Sequence, residues 1–130
     1  MLSKTIKPRA KPRNLESGIQ RAFVKWCAYN LKRYPRLDMA YAVPNGGARN
    51  AVTGAILKAE GVRKGVPDWC LPVRGKDGYS GLYIEFKTEK GVIRTEQWDY
   101  IVMLRAEGYQ AEVCRSCEEA VNFVKGYLGE

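Results

Sequence analysis

Two short apolar runs separated by a polar turn constrain the fold of this chain more than any other feature. The runs are Trp-Cys-Leu at residues 69–71 and Leu-Tyr-Ile-Glu-Phe at residues 82–86. Runs of this length around a turn that contains Gly and Asp predict two neighbouring antiparallel strands. The start of one such strand lies beside the end of the next. The pairing therefore brings Asp68, just before the first strand, next to Glu85 and Lys87 at the end of the second.

The side chains at this strand end favour metal-dependent hydrolysis. Residues i and i+2 of a strand share a face, so Glu85 and Lys87 project together while Phe86 projects into a core. Two carboxylates at close range repel each other unless a divalent cation lies between them, and their oxygens suit Mg²⁺ or Mn²⁺. A lysine beside them can orient a water or stabilise charge on a phosphate oxygen. The predicted reaction is hydrolysis of a phosphodiester; the alternative is ordinary solvated charge or a surface ion pair.

The amino-acid composition excludes several other kinds of catalytic or metal-binding site. The chain has no histidine, which excludes His-containing triads, histidine general bases and His-containing zinc sites. Cys114 and Cys117 have the spacing of a redox motif at a strand end and helix start, but no second pair accompanies them to complete a four-cysteine zinc site. Cys27 and Cys70 lie in apolar patterns. We therefore expect four reduced structural cysteines, with redox chemistry at Cys114 and Cys117 as the alternative.

The N-terminal segment is strongly basic. Residues 1–14 hold five Lys or Arg residues and two prolines before the first acid, Glu16, and the chain has a formal net charge of +8. We expect a flexible basic arm over residues 1–14 and one domain over residues 15–130. Such a chain suits a polyanion, most simply nucleic acid; the alternative for the arm is a solubilising tail. No signal peptide or membrane-spanning run is visible, so we expect a soluble, cytoplasmic protein.

Hydrophobic periodicity and capping residues predict the remaining elements. These are a helix over 15–33, a strand over 39–43, helices over 51–60 and 96–107, a strand over 109–114, and a helix from the Ser116 capping box to about residue 128. Thr95 is expected to cap the third helix, which should bury Trp98, Ile101, Val102 and Leu104. The order predicts an α/β fold with a mixed sheet flanked by helices, the last strand running parallel to the second strand of the hairpin.

Further polar residues are placed to join the acidic strand end. Glu16 and Gln20 lie one turn apart on the flank of the first helix that carries the apolar stripe. Glu16 is expected to face inward; the alternative is a first-turn acid favoured by the helix dipole. Arg63 and Lys64 form a basic approach to the site. Gln97, in the first turn of the third helix, is a candidate to hold a water or a phosphate oxygen, with a solvated helix start as the alternative.

A glycine-rich polar loop follows the first predicted strand. Its sequence is Asn45-Gly46-Gly47-Ala48-Arg49. The glycines allow close approach of the backbone to a ligand, and Arg49 can meet a phosphate. The loop is not a P-loop, because no Gly-Lys-Ser/Thr follows it. We expect it to contact DNA; the alternative is an ordinary turn.

Together these residues resemble a known group of nucleases. Pro67-Asp68 followed by Glu85-Phe86-Lys87 resembles the signature of the PD-(D/E)xK superfamily. The similarity extends to Glu16 and Gln20, to Pro44-Asn45-Gly46-Gly47-Ala48-Arg49, to Gly61-Val62-Arg63-Lys64-Gly65-Val66-Pro67-Asp68, to Gln97, and to the Gly-Tyr pair that opens the last strand. The combination covers about residues 15–128 and resembles the VRR-NUC family in its short stand-alone form.

The resemblance implies a restriction-endonuclease-like fold and a set of site residues. Asp68, Glu85 and the backbone carbonyl of Phe86 would bind Mg²⁺ or Mn²⁺, and Glu16 would be a further ligand, direct or through water. Lys87 would orient or activate the attacking water. Gln97 would support the lysine or the water.

The resemblance also implies a substrate and an assembly. We expect a metal-dependent, structure-selective DNA endonuclease that acts as a homodimer on four-way (Holliday) junctions, with no small-molecule cofactor and no membrane partner. The DNA backbone would be held by the arm and by Gln20, Asn45, Gly46, Arg49, Arg63 and Lys64. The alternatives are a flap, nick or non-specific duplex nuclease, and a nucleic-acid-binding protein without catalysis. A compact nuclease of this kind would suit a phage in a bacterial host.

Overall fold

A four-stranded mixed sheet forms the centre of the protein. The structure is a computed structural model that describes residues 12–44 and 51–129, with side chains from residue 15 onward. The strands lie side by side in the order β1 (Tyr41–Ala42), β2 (Trp69–Leu71), β3 (Leu82–Phe86) and β4 (Gln110–Cys114). The first two neighbouring pairs are antiparallel, and β3 and β4 are parallel. The expected α/β fold with a mixed sheet is therefore confirmed, including the parallel last strand.

One face of the sheet is covered by two helices. These are α1 (Pro12–Tyr29) and α4 (Cys117–Leu128), which also pack against each other. The ring of Phe23 on α1 meets Trp69 edge-on at 4.8 Å and lies 5.5 Å from Phe86, measured between centroids. The main core lies in this layer and includes Phe23, Cys27, Trp69, Leu71, Leu82, Ile84, Phe86, Cys114, Ala120 and Val124. Alternate residues of β2 and β3 supply it, as the side-chain alternation of strands requires.

Helix α3 (Thr95–Ala106) lies on the opposite face of the sheet and packs against β4. Ile101 and Leu104 are buried there against Ala111. The predicted burial of Trp98 and Val102 is wrong, since 45% and 51% of their surfaces are exposed.

Several element boundaries differ from the predicted ones for local reasons. Helix α1 ends at Tyr29 rather than at residue 33, where the Asn30 side chain donates a 2.8 Å hydrogen bond to the Trp26 carbonyl and the chain turns. The strand expected over 39–43 is only two residues long, because Pro35–Met39 form a 3₁₀ helix. Residues 1–11 of the predicted arm lie outside the described residues, and α1 begins within the rest of it.

The predicted helix caps are partly confirmed. Arg94, not Thr95, precedes the first residue of α3, and its backbone N–H donates to the Gln97 side chain. Ser116 caps α4 as expected, its hydroxyl accepting from the Glu119 N–H at 3.1 Å. The Glu119 carboxylate in turn accepts from the N–H of Arg115, which lies one residue before the cap.

The second helix, α2 (Ala51–Ala59), has no buried residue. It stops where expected, since Gly61 adopts a φ of +100° and its N–H donates to the Lys58 carbonyl. This left-handed conformation favours glycine after a helix end. Among the described residues, no helix has the length and apolarity that a membrane crossing needs.

Candidate active site

The register of β2 and β3 places Asp68 opposite Glu85. Trp69 pairs with Ile84 in this antiparallel ladder, so the next position outward on each strand is occupied by an acid. The Asp68 carboxylate accepts a 2.8 Å hydrogen bond from the Phe86 N–H. Its backbone carbonyl accepts from the Val43 N–H at 2.8 Å, which continues the ladder to β1. The two acids predicted from the hairpin are thus brought together, and Asp68 is held from both sides.

Glu85 is a carboxylate in an apolar setting. Only 2% of its surface is exposed, and burial, followed by the charge of Asp68, raises its pKa to about 9, with Lys87 opposing the rise. One carboxylate oxygen accepts from the Gln97 amide at 3.1 Å. The other, Oε1, has no hydrogen-bond donor among the described residues. A hydrogen bond between the Asp68 and Glu85 carboxyl groups requires a proton on one of them, so two ionised carboxylates would repel each other at this position.

Lys87 supplies one positive charge beside the acids. Its N–H donates to the Cys114 carbonyl, which extends the β3–β4 ladder one residue beyond β3. Its ammonium is almost fully buried and lies 4.0 Å from an oxygen of Glu16 and 4.0 Å from Glu85 Oε2. Glu16 therefore faces inward from α1, as one of the two sequence alternatives expected. The ammonium is held between two carboxylates from different elements.

The start of α3 closes the site from the side. The Gln97 amide oxygen accepts from the Arg94 N–H at 2.9 Å, which orients its amide nitrogen toward Glu85. The loop before Asp68 reaches the same helix end at Gly65. A Cβ on Gly65 would lie 2.5 Å from the Glu96 carbonyl oxygen, and the φ of +90° also favours glycine there. This contact aligns the segment leading to Asp68 with the helix that carries Gln97.

Comparison with known proteins decides the family. The family model described as the VRR-NUC domain matches residues 10–118, which is most of the chain. The chain belongs to the VRR-NUC family. A solved structure described as a VRR_NUC domain protein is 26% identical and superposes with a TM-score of 0.71, covering 93% of this chain and 91% of that one. No curated protein sequence matches the chain.

Membership has direct consequences for fold and activity. This VRR-NUC domain is a nuclease of the PD-(D/E)xK type that acts on DNA, and its sheet and helices match those of the solved relative. The predicted signature residues Asp68, Glu85 and Lys87 lie together at one sheet end. Their individual roles remain predictions.

The acids of this VRR-NUC domain fit a divalent cation. Such a cation would partner the unsatisfied oxygen of Glu85, offset its repulsion from Asp68 and lower the pKa that burial has raised. Within residues 12–44 and 51–129, no group of three or more Asp, Glu, Cys or His side chains is close enough to hold a metal ion. Glu16 lies beside the Lys87 ammonium, and its role as a further ligand, like that of the Phe86 carbonyl, remains a prediction.

The predicted DNA-contacting residues are only partly placed. Arg63 and Lys64 are exposed in the segment leading to the site, and the Arg63 guanidinium lies 5.4 Å above the centre of the Tyr100 ring. Gln20 approaches the Asp68 backbone carbonyl at 3.5 Å, a long hydrogen bond. Asn45, Gly46 and Arg49 lie outside the described residues.

Sequence reasoning missed one residue that holds the chain immediately after Lys87. The Arg115 guanidinium donates to the carbonyls of Thr88 and Gly91 at 2.7 Å each, and to that of Glu89 at 3.3 Å. It thereby ties down the turn immediately after Lys87. Nothing in the sequence indicates this contact, because Arg115 lies more than twenty positions away along the chain.

The four cysteines have the environments of structural residues rather than of reactive ones. All four are free thiols, and Cys27, Cys70 and Cys114 are buried. Burial raises the pKa of Cys27 and of Cys114 to about 12, and it raises the pKa of Cys117 as well. Raised values disfavour the reactive thiolate, which argues against redox chemistry at Cys114 and Cys117.

Proposed function

We propose that this VRR-NUC domain is a Mg²⁺- or Mn²⁺-dependent endonuclease that cuts branched DNA, with four-way junctions as the preferred substrate and a homodimer as the active form. The buried Glu85 carboxylate carries the proposal. It has one oxygen without a donor among the described residues, and it lies beside Asp68 and 4.0 Å from Lys87. Burying an acid of this kind costs stability, and acids with strongly raised pKa values cluster at functional sites.

The site residues have distinct tasks in this proposal. A divalent cation held by Asp68, Glu85 and the Phe86 carbonyl, with Glu16 as a further direct or water-mediated ligand, would supply positive charge to the phosphate and acidify a water. The Phe86 N–H keeps the Asp68 carboxylate in place. The Lys87 ammonium places a fixed positive charge where the attacking water is oriented and where negative charge develops on the phosphate.

Gln97 acts on the reaction indirectly. Its amide nitrogen donates to Glu85 Oε2, and its oxygen is fixed by the Arg94 N–H. A carboxylate whose second oxygen is tied in this way keeps one orientation toward the metal site. Gln97 is therefore a positioning residue in this proposal.

Basic side chains around the acids are proposed to hold the DNA backbone. The chain carries a net charge of +8, and Arg63 and Lys64 are exposed beside the segment that leads to Asp68. The arm, Gln20 and the loop residues Asn45, Gly46 and Arg49 complete the proposed contact surface. Contacts to phosphates read charge and shape rather than base sequence, so we expect cleavage with little sequence preference.

The proposed dimer follows from the number of incisions. The described residues hold one pair of opposed acids with one lysine, which suffices for one strand. Resolving a four-way junction requires symmetric cuts in two strands. Two copies related by a two-fold axis would supply them.

A cleavage assay tests the proposal. A labelled four-way junction and a linear duplex of the same sequence are incubated with the protein and Mg²⁺ at one salt concentration, with EDTA as the metal-free arm. We expect faster cutting of the junction, no cutting in EDTA, and a rate at least about 10²-fold lower for Asp68→Asn and for Lys87→Met. Asp77→Asn and Lys90→Met, both at exposed positions, are matched controls and should cut normally.

Each part of the proposal has its own contradicting result. Cleavage that persists in Asp68→Asn would remove the site assignment. Equal rates on junction and duplex would remove the structural selectivity and favour a general duplex nuclease. DNA binding that EDTA leaves unchanged, without cleavage in any divalent metal, would leave a binding protein.

A further inference from the structure

Two tyrosines and a cysteine lie in a row on the same sheet face as Asp68 and Glu85. Tyr41 pairs with Cys70, and Cys70 pairs with Tyr83, so the three side chains form one line across β1, β2 and β3. Cys70 is two residues after Asp68, and Tyr83 is two residues before Glu85. Alternate residues share a face and are about 7 Å apart along a strand. The line, which we call the tyrosine row, is therefore the immediate neighbour of the acidic pair.

The tyrosine row is a packed cluster. The neighbouring Cys70 thiol raises the pKa of Tyr41, and burial, followed by the Cys70 thiol, raises the pKa of Tyr83. The ring of Tyr83 meets that of Tyr109 edge-on at 5.5 Å. Cys70 is 2% exposed whereas Tyr41 is 51% exposed. Tyr41 thus presents aromatic surface to solvent beside a buried thiol.

Positive charge borders this aromatic surface. Tyr100 on α3 belongs to the same cluster of partly buried side chains, and the Arg63 guanidinium lies over its ring at 5.4 Å. Helix α3 packs on β4, which leaves the β1 end of the face uncovered by it. An exposed aromatic platform with an adjacent cation matches the chemistry of a nucleic-acid strand, since bases stack on aromatic rings and phosphates meet arginine.

We propose that the tyrosine row binds an unpaired nucleobase of the DNA strand whose phosphate reaches Asp68 and Glu85. The inference rests on the proposed nuclease function and specifies its substrate. The row and the acids are separated by about 7 Å along the strands, a distance that one extended nucleotide spans. A base can stack there only when it has left its duplex partner, so we expect four-way junctions and other branched DNAs to be cut fastest when an unpaired nucleotide lies at the branch, next to the cut.

The position of the row argues against a second copy of the chain as its occupant. A protein surface covering Tyr41, Cys70 and Tyr83 would also cover Asp68 and Glu85, which lie one row further along the same face. Such an interface would close the site to DNA. A single strand of DNA, in contrast, can contact the tyrosine row and the acidic pair at once.

Fluorescence of an unpaired 2-aminopurine at the branch point tests the proposal, because stacking on an aromatic ring quenches it. The full chain is mixed with the branched DNA in Ca²⁺ in place of Mg²⁺, and a gel verifies that the DNA stays intact. We expect quenching with the unaltered protein and with Tyr41→Phe, which keeps the ring. Tyr41→Ala should lose the quenching and bind this DNA about 5-fold or more weakly. Its affinity for intact duplex should not change, which also shows that the variant is folded.

Tyr29→Ala is the matched control, since Tyr29 is 78% exposed at the end of α1 on the other layer of the fold. It should behave as the unaltered protein. Unchanged quenching and affinity in Tyr41→Ala would overturn the inference. If Tyr41→Ala leaves the quenching unchanged but converts a dimer to a monomer, the inference is overturned and the tyrosine row is assigned to contact between copies of the chain.

The failure of this inference is distinguishable from the failure of the proposed function. If cleavage in Mg²⁺ is normal while Tyr41→Ala alters neither quenching nor affinity, the nuclease stands and the stacking site falls. If no cleavage occurs in any metal but quenching depends on the Tyr41 ring, the stacking site stands and the nuclease falls.

Discussion

Replacing Glu85 with glutamine should stabilise the metal-free protein at neutral pH. Burial and the charge of Asp68 raise the pKa of Glu85 from 4.5 to about 9. Between these values the folded protein retains a proton that the unfolded chain has released. The free energy of unfolding contributed by this group therefore falls as the pH rises through that window, because the unfolded state binds fewer protons.

The magnitude follows from the size of the window. At pH 7 the solution is about 2.5 pH units above the ordinary pKa of the group, and each unit corresponds to about 1.36 kcal/mol. Glu85→Gln, which cannot ionise and still accepts from Gln97, should thus gain about 3 kcal/mol at pH 7. The gain should vanish near pH 4.5. For a chain of 130 residues this corresponds to a rise in Tm of about 10 °C.

Urea unfolding in EDTA at pH 4.5 and pH 7 measures the effect. The difference between the unaltered protein and Glu85→Gln isolates this group from the other titrating residues. Glu89→Gln is the matched control, because Glu89 is exposed in the turn after β3, and it should show no gain at either pH. Identical stability differences at the two pH values, or a loss of stability in Glu85→Gln at pH 7, would show that burial does not hold a proton on Glu85 in the folded protein.

Three further predictions concern single contacts. Gly65→Ala should cost about 2 kcal/mol or more in urea unfolding, since the added Cβ would lie 2.5 Å from the Glu96 carbonyl oxygen; unchanged stability would mean that the loop does not need this approach. Tyr127→Phe should cost about 1 kcal/mol, because the buried hydroxyl donates to the Val73 carbonyl at 2.6 Å; an equally stable variant would show that another donor replaces it. Gln97→Ala should lower kcat/KM for DNA cleavage by about 10-fold with little change in folding, since it removes the amide donor to the buried carboxylate; an unchanged rate would exclude a positioning role.

The hairpin and its acids could be predicted because their geometry is local. Apolar runs of three and five residues, a polar turn and the period of two are enough to align β2 with β3. That alignment by itself places Asp68 opposite Glu85 and directs Phe86 into the core. The helical period of α1 left two positions open for Glu16, inward or in a solvated first turn, and the structure places this residue 4.0 Å from Lys87.

Features that depend on distant parts of the chain could not be predicted in the same way. Trp98 and Val102 fit a helical stripe, but their exposure depends on how much of α3 the sheet covers. The Arg115 contacts to the turn after Lys87 join segments that are remote in sequence. The tyrosine row becomes visible only when the pairing of β1 with β2 is known, because Tyr41 and Cys70 belong to separate stretches.

The proposed nuclease requires that Asp68 and Glu85 hold the catalytic cation, and anomalous X-ray scattering from a crystal soaked in Mn²⁺ can locate such an ion. We expect an anomalous peak within about 2 Å of carboxylate oxygens from both residues, and no peak there in Asp68→Asn. A manganese peak elsewhere on the protein, with none between these two acids, would exclude them as the cation site.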